Sequence, residues 1–161
     1  MAMILICGKI CSGKTTYAKK LAAKHRAVRL SCDEITLALF GRDAGESHDI
    51  MVERTMDYLF RKSVEIHETG ISVVMDFGFW QRAERREADD FYRQHGITPQ
   101  WHYIDTPDEV WKKGIAKRNS SILCGEVLEY YIDEGLAKKF DRLFEPPERD
   151  EIDVWYTNIW E

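Results

Sequence analysis

The chain has 161 residues, of which 44% are hydrophobic and 32% charged, and its formal net charge is −5. These values describe one ordinary globular domain, and they exclude a large sequence-independent nucleic-acid surface, which needs a basic excess. No apolar run approaches the roughly 18 residues of a membrane span, and no basic region precedes the short apolar start, so neither a span nor a signal peptide is expected. The four cysteines, which form no C-x-x-C pair, are expected to be reduced thiols of a cytoplasmic protein.

The first predicted element is a buried strand at residues 3–7, and a glycine-rich segment follows it. Residues 8–15 read G-K-I-C-S-G-K-T and match the phosphate-binding pattern G-x-x-x-x-G-K-[ST] at every fixed position. Glycines let backbone N–H groups approach a phosphate chain, and a helix predicted over 15–24 adds its N-terminus. Lys14 would contact the outer phosphates, and Thr15 would offer its hydroxyl to Mg²⁺. The predicted ATP contacts are Gly8, Lys9, Cys11, Ser12, Gly13, Lys14, Thr15 and Thr16.

Strands and helices then alternate along the chain. Further strands are predicted at residues 27–30, 71–75, 100–104 and 152–156. Helices are predicted after Ser31, over 49–68 and 81–95, from 106 to about 118, and over 126–144. Ser31-x-x-Glu34 and Thr106-x-x-Glu109 have the form of capping boxes. Such alternation predicts an α/β fold with a doubly wound parallel sheet.

Acidic residues at strand ends are the first candidates for chemistry, because ligands of such a sheet collect beyond the carboxyl ends of its strands. Asp76 follows a Val-Val-Met strand, as a Walker-B acid does, and would hold Mg²⁺ beside Thr15. Asp33 stands in the first turn of a predicted helix. It either favours the helix dipole or accepts the proton of a substrate hydroxyl as the γ-phosphoryl group leaves ATP. The residues leave open which of the two acids is the base.

Basic and aromatic side chains form the second group of candidates, because a transferring phosphoryl group needs positive charge. Arg118 lies where the predicted helix gives way to a loop with serine and glycine, which suits a mobile lid over ATP, at about residues 113–128. Substrate contacts are predicted for Phe79, Trp80, Arg82 and Arg85. The alternative interpretations are a solvated helix face for the arginines and core packing for the aromatic rings.

Taken together, these positions resemble the small P-loop kinases of the AAA_33 type, which are related to polynucleotide 5′-hydroxyl kinases, zeta toxins and antibiotic phosphotransferases. The resemblance covers nearly the whole chain and rests on residues 8–15, 30–34, 73–80, 111–119 and 144–147. It implies a three-layer fold with a five-stranded parallel sheet, helices on both faces and a small helical lid. It also implies that the strand ending at Asp76 lies beside the phosphate-loop strand, that Mg-ATP is the donor, that Asp33 is the substrate-side base and that Arg118 is the lid arginine.

Two positions depart from the family pattern. Thr36 stands where polynucleotide kinases usually carry an arginine, and Lys113 replaces a common lid arginine. We therefore expect a single kinase domain, residues 1–161, that phosphorylates a hydroxyl of a small-molecule acceptor and has no membrane partner. A polynucleotide or nucleotide kinase is the alternative, disfavoured by Thr36 and the negative charge. A non-enzymatic ATP-binding switch is the third hypothesis, and the chain has no N-K-x-D guanine motif to support it.

Overall fold

A computed structural model describes residues 1–42, 45–125 and 129–159. Within these ranges, five strands form one parallel sheet in the order β2-β3-β1-β4-β5. The strands are β1 (Met3–Cys7), β2 (Val28–Ser31), β3 (Val73–Asp76), β4 (Gln100–Asp105) and β5 (Val154–Thr157). The α-helices are α1 (Lys14–His25), α2 (Cys32–Phe40), α3 (His48–Glu68), α4 (Arg82–Gln94), α5 (Asp108–Leu123) and α6 (Glu134–Leu143). None of these helices is both long enough and apolar enough to cross a membrane.

The central strand β1 carries the phosphate loop and is buried along its whole length. Its neighbours are β3 and β4, and the register places Ile6 opposite both Asp76 and His102. The strand that ends at Asp76 therefore lies beside the phosphate-loop strand, as predicted. The α/β class and the five-stranded parallel sheet are likewise confirmed.

Alternating side chains of β1 divide the core into two layers, one on each face of the sheet. Met3 and Leu5 belong to the larger layer, which α3 and α4 cover, whereas Ile4 and Ile6 pack with Ala18 of α1. Burying each large apolar side chain stabilises the fold by roughly 1.5–3 kcal/mol, so the strand that carries the loop is among the most firmly held parts of the molecule.

Two predictions about the second half of the chain are wrong. The capping box at 106–109 is not formed, because the Thr106 hydroxyl donates to the carbonyl of Ser12 at 3.0 Å, and Pro107 at the helix start makes no side-chain cap. Helix α5 does not end at Arg118 but continues to Leu123, since no Gly or Pro stands between Arg118 and Gly125, whose φ is +72°.

The helix predicted over 126–144 is shorter than expected. It begins only at Glu134, after Asp133 accepts a hydrogen bond from the Leu136 N–H at 2.7 Å. The predicted helix start and the end of the predicted lid, residues 126–128, lie outside the described residues.

Candidate active site

The phosphate loop leaves β1 at the carboxyl edge of the sheet and enters α1. A Cβ atom at Gly8 would lie 3.0 Å from Ser12 Oγ and 3.1 Å from the carbonyl oxygen of Ile104, so a larger residue would displace the loop. Gly13 has a φ of +88°, which side chains disfavour, and Lys14 follows it as the first residue of α1. The positive end of the helix dipole therefore points into the loop, as in anion sites.

Side chains from distant parts of the sequence hold this loop in place. Thr106 Oγ1 and Asn158 Nδ2 both donate to the carbonyl of Ser12, at 3.0 and 2.9 Å. The indole Nε1 of Trp111 donates to the carbonyl of Ile10 at 2.6 Å. The loop is thus fixed by β4, α5 and the segment after β5, and a phosphate chain would meet a preorganised surface.

A pocket of about 170 Å³ opens above the loop, and most of the residues predicted to act in phosphoryl transfer line it. Its walls include Lys14, Thr15, Asp33, Asp76 and Arg118. Lys14 Nζ donates to the carbonyl of Lys9. Burial lowers the pKa of Lys14, whereas the carboxylates of Asp76 and Asp33 act to raise it. The Ser12 hydroxyl, which is buried and has no hydrogen-bond partner among the described residues, also lines the pocket.

Asp76 lines the pocket and pairs with Arg29, which no local sequence pattern marks. Arg29 Nη1 donates to Asp76 Oδ2 at 2.8 Å, and Thr15 lines the same pocket. Burial raises the pKa of Asp76, and the charges of Lys14 and Arg29 oppose that rise. A carboxylate beside a hydroxyl is a donor set that fits Mg²⁺, which is usually held by one or two carboxylates plus substrate phosphates.

Asp33 and Arg118 both line the pocket. Asp33 is exposed in the first turn of α2, whose N-cap Ser31 accepts a hydrogen bond from the Glu34 N–H at 3.3 Å. Arg118 Nη1 lies 3.2 Å from the Cys11 thiol, and its Nε lies 2.7 Å from a carboxylate oxygen of Glu129. The pocket thus combines a cation held beside the loop with an exposed carboxylate.

Asn119, beside Arg118, clamps the chain that follows α5. Its amide Nδ2 donates to the carbonyl of Ile132 at 2.5 Å, and its Oδ1 accepts from the Ile132 N–H at 2.9 Å. This paired bond fixes the segment that carries Glu129 against α5. The sequence marked the Arg-Asn pair only through the family resemblance.

Of the four predicted substrate residues, neither arginine reaches the phosphate pocket. Arg85 is 3% exposed, and its Nη1 donates to the carbonyls of Phe79, Trp80 and Glu145 at 3.0, 3.3 and 3.0 Å. Its Nε pairs with Glu151 at 3.1 Å. Arg82 pairs at the surface with Glu148. Carbonyls and a carboxylate of the protein thus occupy Nη1 and Nε of Arg85, whereas its Nη2 is buried without a hydrogen-bond partner among the described residues. A substrate contact for Arg85 stays a prediction.

The two predicted aromatic contacts also lie outside the phosphate pocket. Trp80 packs against Phe140 with ring centroids 4.9 Å apart. Phe79 is buried between Trp101 and Phe77, and its ring stacks on Phe77 at 5.6 Å. Phe77 lines the phosphate pocket, whereas Phe79 lines a separate, larger cavity.

The fold and the site together define a P-loop kinase-like protein: a phosphate loop between a parallel strand and a helix, with an acid at the end of the neighbouring strand. The sequence profile of the AAA_33 family, described as an AAA domain, matches residues 3–133. The chain therefore belongs to this family. A comparison with curated proteins found no match.

Solved structures share this fold at low sequence identity. Kti12 of Chaetomium thermophilum, bound to ADP-AlF3, has a TM-score of 0.73 at 15% identity, over 99% of this chain and 89% of that one. The APS kinase CysC of Mycobacterium tuberculosis, bound to AMPPNP and APS, has a TM-score of 0.69 at 16% identity, over 99% and 90%. The Pnkp1/Rnl/Hen1 RNA repair complex includes a chain with a TM-score of 0.69 at 17% identity, over 88% of this chain and 43% of that one.

Proposed function

We propose that this protein is an ATP-dependent kinase that transfers the γ-phosphoryl group to a hydroxyl of a small molecule. The observation that carries the proposal is the convergence of Lys14, Asp33, Asp76 and Arg118 on one pocket above the phosphate loop. A switch needs only a nucleotide site, whereas an exposed acid and a lid-side arginine facing that site are the parts that phosphoryl transfer requires.

Each residue of the pocket has its own role in the proposed phosphoryl transfer. The loop N–H groups and Lys14 hold the β- and γ-phosphates of ATP, and Arg118 neutralises charge on the transferring group. The acceptor oxygen forms a bond to the γ-phosphorus while the bond to the β,γ-bridging oxygen breaks, and ADP leaves with that electron pair. Asp33 takes the proton of the acceptor hydroxyl. Mg²⁺, held by Thr15 and Asp76, would supply further charge neutralisation to the phosphates.

Between the two acids, the contacts favour Asp33 as the base. Asp76 is buried, and its Oδ2 is paired with Arg29 at 2.8 Å, which suits a fixed ligand of Mg²⁺ better than a base that meets an incoming hydroxyl. Asp33 is exposed and forms no ion pair within the part of the chain that the structure describes. A base must meet a substrate hydroxyl directly, and of these two acids Asp33 is the exposed one.

A small acceptor is favoured over a polynucleotide by the charge around the base. Thr36, on the same helix as Asp33, is buried, and its hydroxyl donates to the carbonyl of Cys32 at 2.9 Å. This position therefore offers no cation to a nucleic-acid phosphate. The net charge of −5 acts in the same direction, because polyanion binding depends on neutralising phosphates.

The Asp33→Asn variant tests the proposal. We expect kcat with hydroxyl acceptors to fall by roughly 10²–10⁴-fold, the usual contribution of a general base, while the Kd for ATP stays unchanged. The assay measures ATP consumption with alcohols, sugars, nucleosides and an oligonucleotide. Glu109→Gln is the matched control, since Glu109 is also an exposed acid in the first turn of a helix. Equal turnover of Asp33→Asn and the unsubstituted protein would contradict the assignment.

A further inference from the structure

A second cavity lies between α3 and α4, distinct from the phosphate pocket. Its volume is about 620 Å³, within the range of roughly 300–1,000 Å³ that small-molecule sites occupy. Its apolar walls come from Val52, Met56 and Phe60 of α3, Ala88 and Phe91 of α4, and Phe79. Three of these six residues are aromatic, so the cavity suits a ring or another flat apolar body.

Carboxylates surround this apolar cavity. Asp49, Glu53 and Asp57 stand one turn apart along α3, and Glu84 and Glu87 face them from α4. Arg61 is the one basic residue in the lining. None of the five acids forms a salt bridge within the described ranges, so their negative charge acts on whatever enters the cavity. The electrostatic complement is a cation.

Two contacts connect this cavity with the proposed reaction site. The ring of Phe77, in the wall of the phosphate pocket, stacks at 5.6 Å on Phe79, which lines the cavity, so these two rings form the boundary between the two spaces. In addition, Cys32 Sγ lies 3.9 Å from the carbonyl of Val52, a cavity residue, and Cys32 directly precedes Asp33. The cavity thus adjoins the element that carries the proposed base.

We propose that this cavity holds the body of the phosphoryl acceptor, and that the acceptor is an apolar or aromatic hydroxyl compound carrying a positively charged amino group. This inference rests on the proposed kinase function and adds the chemical class of its substrate. The apolar walls bind the body, the carboxylates bind the ammonium group, and the hydroxyl extends past Phe77 toward Asp33. The same carboxylates repel anionic acceptors, including oligonucleotides.

The test uses three probes that share a phenyl ring and a benzylic hydroxyl and differ in charge: phenylethanolamine, phenylethylene glycol and mandelate. Binding is measured by calorimetry at millimolar concentrations, with and without a non-hydrolysable ATP analogue, and turnover is measured as phosphorylated product. We expect the cation to bind about tenfold more tightly than the neutral diol, the effect of about 1.4 kcal/mol of charge interaction, and mandelate to bind more weakly still.

A pair of double variants locates the effect. Glu53→Gln with Asp57→Asn removes two charges from the cavity, and we expect the cation preference to fall to less than about threefold. Glu65→Gln with Glu68→Gln removes two charges from the same helix outside the cavity, and the preference should persist. The inference is overturned if no probe binds, if the three probes bind equally, or if both double variants behave alike.

The failure of this inference and that of the kinase proposal are distinguishable. Lys14→Ala reports on the nucleotide site alone. If ATP binds in a Lys14-dependent manner and hydroxyl compounds are phosphorylated without a preference for cations, the kinase stands and the cationic acceptor is wrong. If cations bind in a manner that depends on Glu53 and Asp57 but no probe consumes ATP, the cavity is a cation site and the kinase proposal is wrong.

Discussion

Among single residues, His102 of β4 shows how burial on the face of the sheet determines a protonation state. Its Nδ1 lies 2.9 Å from the Tyr17 hydroxyl, and burial lowers its pKa to about 4. Asp153 acts to raise this pKa, whereas His25 and Lys24 lower it further. Near neutral pH the ring is therefore neutral and packed against α1, and it plays no part in the proposed phosphoryl transfer.

The low pKa of His102 predicts a loss of stability on mild acidification. In the unfolded chain the imidazole titrates near pH 6.5, so between pH 6.5 and about 4 the unfolded state binds a proton that the native state does not. We expect the free energy of unfolding to fall by about 1–2 kcal/mol from pH 7 to pH 5 through this residue, after allowance for solvent screening. Urea titrations of the protein and of His102→Gln check this, and parallel pH profiles would contradict it.

At the same scale, the sequence predicted the residues of the phosphate loop but not those that position them. Lys14 and Asp76 were found because motif spacing and strand ends are local signals. Arg29 contacts Asp76 across 47 positions of sequence, in a register where Ser31 pairs with Asp76. No local pattern marks such a partner, since it arises only when β2 and β3 become neighbours in the sheet.

Among the elements, β4 and β5 each end just before a residue whose side chain donates a hydrogen bond to the carbonyl of Ser12. Thr106 and Asn158 both donate to this single oxygen, and both side chains are buried. The threonine could be read as a helix cap from its sequence, because Thr-Pro-Asp-Glu has the form of a strong helix start. In the folded protein the Thr106 hydroxyl donates to the phosphate loop instead, and α5 forms without that cap.

Removing both donors to the carbonyl of Ser12 is expected to weaken ATP binding. Thr106→Val and Asn158→Ala each remove one hydrogen bond worth about 0.5–1.5 kcal/mol, and the double variant leaves a buried carbonyl unsatisfied. We expect the double variant to raise the Kd for ATP by about tenfold or more. Calorimetric titration with ATP measures this change.

The matched control for the loop donors is a double change at exposed positions close to them in the sequence. Thr157→Val lies next to Asn158, and Glu109→Ala lies three residues after Thr106. Both side chains are exposed. An equal loss of ATP affinity in both double variants would show that the two hydrogen bonds have no specific effect on the loop.

For the whole molecule, the alternation of apolar strands and amphipathic helices was enough to predict the sheet and its two covered faces. Helix α3, for example, packs on the larger core layer with Leu59 and Ser63 buried. The course of the chain after α5 was not predictable in this way. Its ends are set by Asn119, which clamps Ile132, and by Asp133, which caps α6, and both depend on the chain folding back on itself.

At the scale of the whole molecule, Arg85 links the C-terminal segment to the loop after β3. The guanidinium group connects the loop after β3 with the carbonyl of Glu145 and the carboxylate of Glu151, 60 and 66 positions away. Arg85→Met leaves these acceptors without their donor in a buried site. We expect it to lower the free energy of unfolding by about 3–5 kcal/mol, as removal of one partner of a buried pair does.

Arg82→Met is the matched control, because Arg82 is 39% exposed and its pair with Glu148 lies at the surface. It should cost less than about 1 kcal/mol. Arg85→Lys, which keeps the charge but not the fork of donors, is expected to fall between the two and provides a folded variant if Arg85→Met does not fold. Urea denaturation measures all three, and the KM for any acceptor should stay unchanged in Arg85→Lys. A raised KM for the acceptor in Arg85→Lys, with an unchanged free energy of unfolding, would indicate that Arg85 contacts the substrate.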